Sequence, residues 1–219
     1  MSDPPTSRSP DDRLRFLLDP ERCAVLLQEL QEGVVGSTSG LPELARAAKE
    51  SSLIPNTQRV VKAARQVGVP VVHCTAANLP DGFGSNTNAR LFAAARKSGM
   101  DNLSGSDSVK PIGALGPVDS DIVLPRLHGL SPLTGSSLDS LLRNRGVQAL
   151  VIMGVSLNIA IPNLVFDAVN RGYQVVVVSD AVAGVPAEYG RQVIEHSLSL
   201  VSTLSTSHEI QSVWSGYEC

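Results

Sequence analysis

Side chains that could do chemistry recur where short apolar runs of the sequence end. They are Glu29, His73, Cys74, Arg126, Asp180 and the turn Gly154–Ala160. A carboxylate such as Glu29 and a guanidinium such as Arg126 can form a bidentate pair, or can hold an anionic group of a substrate. The same two side chains could equally form a structural salt bridge, and the sequence leaves both interpretations open.

The turn that begins at Gly154 allows a further chemical interpretation. Gly154-Val155-Ser156-Leu157-Asn158 nearly matches the Gly-x-Ser-x-Gly pattern that presents a nucleophilic serine. Asp180 and then His196 or His208 follow Ser156 in the order of a Ser-Asp-His triad. However, no HGGG-like oxyanion segment precedes Ser156, and His196 falls within a predicted helix rather than a loop. The sequence therefore disfavours a serine hydrolase.

Thiol, metal and cofactor chemistry have little support in the sequence. Cys74 could be a reactive thiol, but a free cysteine at the end of an apolar run is more often buried and unreactive. The sequence contains neither a Walker loop nor a zinc-like spacing of cysteine and histidine. Gly82-Phe83-Gly84 leads into an asparagine-rich loop, which argues against a dinucleotide-binding fingerprint. We therefore expect neither a cofactor nor a bound metal ion.

The composition predicts a globular protein without nucleic-acid or membrane partners. Of the 219 residues, 42% are hydrophobic and 18% are charged, a balance typical of one folded domain. A net charge of -3 would not attract phosphate backbones or anionic lipids. No apolar run approaches the roughly 20 residues of a membrane span, and the N-terminus lacks a signal-peptide core. Three widely spaced cysteines fit reduced thiols, so the sequence predicts a cytoplasmic location.

The apolar runs themselves predict the strands that must position the polar side chains. Each run is aliphatic on both faces, as expected for parallel strands covered by helices on both sides. The runs are Cys23–Gln28, Val69–Cys74, Asp121–Leu124, Gln148–Met153 and Gln174–Val178, with a short sixth strand around Glu209–Val213. Because strands alternate with helical patterns, we predict a three-layer α/β/α fold with a mostly parallel six-stranded sheet. Ligands of such sheets bind outside the carboxyl ends of the strands.

Helix and domain boundaries follow from the same patterns. One helix is predicted over Ala160–Asn170, and the last is predicted from about Ala187 through Leu204. Residues 1–20 are polar and rich in proline, which predicts a flexible tail or a segment that docks on a partner subunit. Residues 21–219 are predicted to form the single domain.

Three segments resemble the isochorismatase-like cysteine hydrolases, a family that includes isochorismatases, nicotinamidases and N-carbamoyl amide hydrolases. Residues 24–31 resemble that family's aliphatic strand ending in Asp-x-Gln, and Gly135–Asp139 resembles its Gly-Thr-x-Leu helix start. Gly154–Ile161 is similar to its Gly-Val-x-Thr-Asn-x-Cys-Val turn. The resemblance covers the chain from Cys23 onward and implies an isochorismatase-like, Rossmann-like fold.

The resemblance also identifies the positions at which this family does its chemistry. The family's thiolate attacks an amide or imine carbon, while an Asp and a Lys manage the protons. Carried over by position, Asp, Lys and Cys correspond to Glu29, Arg126 and Ala160. Arg126 keeps the positive charge but cannot release a proton at physiological pH. Ala160 provides no nucleophile, so the resemblance implies that cysteine-dependent hydrolysis is lost.

Further pocket positions follow from the same resemblance. Val155 and Ser156 stand where the family forms an oxyanion-type turn. His73, Cys74, His128 and Asn158 are candidates for the pocket wall. The metal-binding Asp-x-His segment of nicotinamidases is replaced here by Cys74-Thr75-Ala76-Ala77-Asn78, so no metal is expected at this position.

Three functions remain open at the level of sequence. The sequence favours a non-hydrolytic homologue that binds a small anionic or carbonyl-bearing molecule, or that serves a regulatory or assembly role. An alternative is an active hydrolase of a small amide or enol-ether substrate that relies on Glu29 and Arg126. A further alternative is a structural oligomer. The resemblance implies a homo-oligomer in each case.

Overall fold

The computed structural model describes residues 9–97 and 102–217, which form a parallel sheet with helices on both faces. The strands are Cys23–Gln28 (β1), Val71–Ala76 (β2), Ile122–Arg126 (β3), Ala149–Val155 (β4), Gln174–Ala183 (β5) and Thr203–Ser205 (β6). The α-helices are Pro10–Leu17 (α1), Glu32–Val35 (α2), Pro42–Glu50 (α3), Leu53–Gln66 (α4), Arg90–Lys97 (α5), Leu138–Asn144 (α6), Ala160–Asn170 (α7), Ala187–His196 (α8) and Ser207–Ser215 (α9). The predicted α/β class is confirmed.

The strand order is β3-β2-β1-β4-β5-β6, and each neighbouring pair is parallel. The chain builds outward from β1 through β2 to β3, and then returns to the other side of β1 with β4. The order therefore reverses between β1 and β4. In open α/β sheets this reversal opens a crevice at the carboxyl ends of the two strands. The crevice is where the chain can expose polar groups against a rigid sheet.

Two apolar cores sandwich the sheet. All residues of β1 and β4 are buried, because helices cover both faces of these central strands. One face, here called the α4 face, packs Leu27 and Val151 against Val60 and Trp214. The other, here called the α7 face, packs Leu26 and Ile152 against Leu138 and Leu164. Successive residues of a strand point to opposite faces, so each strand residue belongs to one core or the other.

Most predicted boundaries agree closely with the structure. Strand β1 and helix α7 have the predicted bounds. Strands β2, β3 and β4 begin and end one or two residues later than predicted. Strand β5 continues past Val178 to Ala183, beyond the uninterrupted run of valines.

Two predictions for the C-terminal part are wrong. The predicted strand around Glu209–Val213 lies within helix α9, whose first turn is closed by a capping box between Thr206 and Glu209. The predicted last helix was expected to reach Leu204, but α8 ends at His196. Residues 203–205 instead pair with β5 as the edge strand β6.

The described part of the N-terminal segment, residues 9–20, contains helix α1 and packs on the domain. Residues 1–8 lie outside the described residues, but Ser9 caps helix α1 by accepting a hydrogen bond from the Asp12 backbone. Leu18 is fully buried, and its carbonyl accepts a hydrogen bond from Trp214 Nε1 at 2.8 Å. The apolar residues at the end of this segment, Leu17 and Leu18, are buried in the core although the beginning of the segment is polar. Within the described ranges, no helix combines the length and the apolar character that a membrane span requires.

Candidate functional site

The candidate site lies where β3, β2, β1 and β4 end side by side. Arg126 is the last residue of β3, and Glu29 follows directly after β1. The Glu29 backbone N–H donates to the Cys74 carbonyl at 2.9 Å, which ties the end of β1 to β2. Val155 ends β4 and begins the turn toward α7. The structure thus brings Glu29, Arg126 and the Val155–Ser156 turn to the same edge of the sheet.

Glu29 has a backbone conformation that is unusual for its residue type. Its φ angle is 54°, in the left-handed region that few residues other than glycine adopt. In a regular strand, neighbouring side chains point to opposite faces. The departure at Glu29 lets its side chain meet that of the preceding residue, and Gln28 Nε2 donates to Glu29 Oε1 at 3.0 Å. The Glu29 side chain remains 17% exposed.

Arg126 completes a small polar group that we call the site cluster, consisting of Gln28, Glu29 and Arg126. Arg126 Nη2 donates to the same Glu29 Oε1 at 2.5 Å, and the Arg126 side chain is only 9% exposed. Among the described residues, Gln28 Oε1, Arg126 Nε and Arg126 Nη1 find no hydrogen-bond partner although each is buried. We refer to these atoms of the site cluster as the three unpaired atoms; His73 Nδ1 and Thr75 Oγ1, in β2, are also buried without a partner in the described part of the chain. Such atoms are rare in folded proteins, because each costs about 1–3 kcal/mol.

Gln28 was not among the candidates from the sequence. It is fully buried on the α7 face, at the end of a strand that is otherwise apolar. The sequence did contain a signal for this role. Gln28 is an amide at the last position of a buried parallel strand, where the pattern predicts an aliphatic residue. The prediction instead treated Gln28 as the last member of the apolar run.

The turn between β4 and α7 positions Ala160. The peptide bond between Val155 and Ser156 is cis, and the Ser156 carbonyl accepts a hydrogen bond from Ile161 N at 3.0 Å. Ala160 follows as the first residue of α7 and is 6% exposed. Its methyl group occupies the position at which the resemblance places a nucleophilic thiol, and a methyl group can neither attack nor transfer a proton.

Two of the predicted pocket residues, Asn158 and His128, lie against other parts of the chain. Asn158 Nδ2 donates to the Val185 carbonyl, and Asn158 Oδ1 accepts from Val185 N at 2.9 Å. This paired contact fastens the turn to the segment after β5. His128 is exposed and lies against Gly135, where a Cβ atom would come within 2.1 Å of the His128 ring.

Cys74 lies beside the site cluster but is not activated. It is buried on the α7 face, and burial raises its pKa to about 12. The positive charge of Arg126 lowers the pKa of Cys74 but does not outweigh burial, and the charge of Glu29 raises that pKa further. The thiol is therefore protonated at neutral pH, and a thiol in that form is a poor nucleophile.

His73 lies on the opposite face of the sheet from the site cluster. It neighbours Cys74 in β2, and alternation turns it toward the α4 face. His73 Nε2 is 3.1 Å from Asp121 Oδ2, and the Asp121 carboxylate also accepts from Arg65 of α4 at 2.5 Å. Burial lowers the pKa of His73, although its hydrogen bond with Asp121 opposes this. The structure therefore separates His73 from the other site candidates.

The serine-hydrolase alternative is not assembled in the described part of the chain. The Asp180 carboxylate accepts hydrogen bonds from Ser207 N at 2.8 Å and Ser207 Oγ at 2.7 Å. His196 lies at the exposed end of α8, where its Nε2 is 4.0 Å from Glu195 Oε2. The described ranges also bring together no group of three or more His, Cys, Asp or Glu that could hold a metal ion.

A second polar group on the α7 face has the opposite character. We call it the Asp167 cluster: Asp167, Ser131, Thr134 and Arg171. Asp167 accepts hydrogen bonds from Ser131 Oγ at 2.6 Å, Thr134 Oγ1 at 2.7 Å and Arg171 Nε at 3.0 Å. It thereby fastens the loop after β3 to α7. Burial raises the pKa of Asp167, but these three hydrogen bonds outweigh burial and hold that pKa below its ordinary value.

The chain is similar to known proteins over most of its length. The family model described as the isochorismatase domain matches residues 23–209. A ureidoacrylate amidohydrolase of Pseudomonas syringae pv. syringae is 26% identical over 188 residues, which cover 80% of this chain and 76% of that protein.

Solved structures share the fold at lower identity. A cysteine hydrolase from Pseudomonas syringae pv. phaseolicola superimposes with a TM-score of 0.78 at 22% identity, covering 98% of this chain and 99% of that chain. The N-carbamoylsarcosine amidase of Thermoplasma acidophilum superimposes with a TM-score of 0.65 at 23% identity, covering 85% and 96%. At such identities the structural match carries the fold and not the activity.

Proposed function

This chain belongs to the isochorismatase domain family, and we propose that it binds a small carbonyl- or carboxylate-bearing molecule without hydrolysing it through a cysteine. The observation that carries the proposal is the pairing of an inert Ala160 with a polar site cluster that is incompletely satisfied. A member of a hydrolase family that had become purely structural would have little reason to keep buried donors without acceptors.

The site cluster supplies what a bound polar group needs. Arg126 contributes a guanidinium group, whose Nε and Nη1 are two of the three unpaired atoms. A ligand oxygen that accepted from either atom would remove the penalty of an unpaired buried donor. Ureidoacrylate, named as the substrate of the Pseudomonas relative, bears both carbonyl and carboxylate oxygens and is the first ligand to test.

A second candidate function is hydrolysis by a water molecule that Glu29 activates. It is favoured by the 17% exposure of the Glu29 side chain, which leaves the carboxylate within reach of solvent. The two candidates differ in one measurable quantity, the turnover of the unmodified protein.

The experiment combines binding with a gain of function. Binding of ureidoacrylate, N-carbamoylsarcosine and nicotinamide is measured by calorimetry, and hydrolysis of each compound is measured by the release of its cleavage products. We expect binding without turnover for the unmodified protein, and turnover at least about tenfold above background for Ala160→Cys combined with Glu29→Asp and Arg126→Lys.

The matched control is Ala160→Ser in the same background, which adds a side chain of similar size and a much weaker nucleophile. Turnover by the unmodified protein that Glu29→Gln abolishes would replace the first candidate with the second. Absence of binding to each of the three compounds, in a protein that melts cooperatively, would contradict ligand binding at this site.

A further inference from the structure

Gln28 is the member of the site cluster that the family resemblance does not account for. It has no solvent exposure, and it pairs in register with Cys74 of β2 and Gly154 of β4. Its Nε2 donates to Glu29 Oε1, while its own Oε1 is one of the three unpaired atoms. The reverse assignment of the amide would place two oxygens against each other, so the carbonyl must be the unpaired end.

The three unpaired atoms therefore differ in what they require. Gln28 Oε1 is an acceptor that needs an N–H or O–H donor, whereas Arg126 Nε and Nη1 are donors that need an acceptor. Gln28 and Arg126 both donate to the same oxygen, Glu29 Oε1, at 3.0 and 2.5 Å. The unpaired acceptor and the two unpaired donors thus belong to two side chains that meet at a single atom, Glu29 Oε1.

The charge of the cluster narrows the choice of ligand further. Glu29 and Arg126 carry opposite charges and cancel one another, so the cluster as a whole does not favour an anion. A carboxylate could accept from Arg126, but it would leave Gln28 Oε1 unpaired and would lie near the Glu29 carboxylate. A neutral group with an N–H beside a C=O could bond to both side chains without adding charge.

We propose that Gln28 is a specificity-determining residue of this site and that it selects a neutral carboxamide or urea group over a carboxylate. The inference rests on the proposed function, namely ligand binding at the site cluster, and specifies the ligand class. The ligand N–H donates to Gln28 Oε1, and the ligand carbonyl accepts from Arg126. Because the three unpaired atoms are covered by protein, the ligand enters where Glu29 reaches solvent and displaces part of the Glu29–Arg126 contact.

The test uses acetamide and acetate, which have nearly the same shape and differ in the group that Gln28 would distinguish. Binding is followed by amide chemical shifts of the full chain in NMR titrations, with ureidoacrylate titrated in parallel. One hydrogen bond contributes about 1 kcal/mol, so we expect the unmodified protein to prefer acetamide about fivefold. We expect Gln28→Met, which keeps the volume and removes the carbonyl, to abolish this preference.

Gln31 provides a matched control, because it is a second fully buried glutamine near the same strand end. Its side chain is satisfied: Nε2 donates to the carbonyls of Ala76 and Ser108, and Oε1 accepts from Ala76 N. We expect Gln31→Met to lower the melting temperature and to keep the acetamide preference. Gln28→Asn, which retains an amide on a shorter side chain, serves if Gln28→Met fails to fold, and is expected to weaken the preference.

The outcomes separate this inference from the proposed function. If ureidoacrylate binds but acetamide and acetate bind equally, or if Gln28→Met keeps the acetamide preference, the role of Gln28 is overturned and ligand binding stands. If neither probe nor ureidoacrylate binds the unmodified protein, the proposed function fails and the inference fails with it. A water molecule that merely filled the space beside Gln28 would give the first of these results.

Discussion

The site cluster and the Asp167 cluster lie on the same face of the sheet and contain the same kinds of groups. Each has one carboxylate, one arginine and additional hydrogen-bonding side chains. Asp167 accepts three side-chain hydrogen bonds of 2.6 to 3.0 Å. In the site cluster, by contrast, two donors converge on one oxygen of Glu29, and three buried atoms lack partners within the described ranges.

The difference is consistent with a structural role for the Asp167 cluster and with the ligand-binding role proposed for the site cluster. A cluster that holds the fold together gains most when each buried polar atom is paired, as around Asp167. A cluster that receives a ligand must leave some hydrogen-bonding capacity unused until the ligand arrives. The unpaired atoms and the left-handed backbone at Glu29 are both costs that a purely structural ion pair would not require.

Removal of the Asp167 carboxylate is expected to have the largest effect on the free energy of unfolding. Asp167→Ala removes the acceptor for Ser131, Thr134 and Arg171. It leaves the partly buried Arg171 with only the more distant Asp139 carboxylate, at 3.4 Å. We expect the free energy of unfolding in urea to fall by about 3 kcal/mol. Glu43→Ala, which breaks an exposed pair with Arg46, is the control and should change it by less than about 0.5 kcal/mol. A loss for Asp167→Ala no larger than for the control would contradict the structural role.

The pH dependence of stability should isolate the same carboxylate with a smaller effect. The pKa of Asp167 is below its ordinary value in the folded protein, so the unfolded chain takes up the proton first as pH falls. The contribution of Asp167 is therefore fully present above about pH 4 and is lost as pH drops through the folded-state pKa. Over this pH range, protonation of Asp167 lowers the free energy of unfolding by at most about 1.4 kcal/mol per pH unit.

The side chain in Asp167→Asn does not ionise, so this variant tests directly whether the ionised form of Asp167 stabilises the fold. We expect the unfolding free energies of the unmodified protein and of Asp167→Asn to differ at neutral pH and to converge below about pH 4. Other carboxylates with lowered pKa values, such as Asp121 and Glu209, titrate in both proteins and cancel in the difference. A constant gap between the two proteins down to low pH would show that the ionised form of Asp167 has no special stability.

The sequence predicted the scaffold of the site but not its internal contacts. The strands were predictable because uninterrupted apolar runs report burial on both faces, and the topology then places Glu29 and Arg126 at the same sheet edge. Alternation could also have shown that His73 and Cys74, as neighbours in one strand, cannot share a pocket. The helix α9 was predictable from Ile210 and Trp214 at helical spacing, together with the capping box at its start.

The unsatisfied state of Gln28 was beyond the reach of sequence patterns. It depends on the left-handed backbone of Glu29, which turns two adjacent side chains toward each other. That conformation is set by how the end of β1 meets β2 and β4, and a pattern of residue types carries no information about it. Side-chain pairing of this kind requires three-dimensional positions.

The smallest expected effect concerns the ion pair of the site cluster itself. Glu29→Gln combined with Arg126→Met removes both charges and two of the three unpaired atoms, while keeping similar side-chain volumes. Exchanging a buried ion pair for uncharged groups is often neutral or stabilising, because two desolvated charges disappear together. We expect the free energy of unfolding in urea to stay within about 1 kcal/mol of the unmodified protein, or to rise.

The single variants complete this comparison between the two clusters. Arg126→Met alone leaves the Glu29 carboxylate with only the amide of Gln28, and should lower the free energy of unfolding more than the double variant does. Under the proposed function, ligand binding should be lost in each of these variants, since each removes a group that the proposed ligand would contact. If the double variant instead lost about 3 kcal/mol, as expected for Asp167→Ala, the Glu29–Arg126 pair would be a structural device, and the contrast between the clusters would disappear.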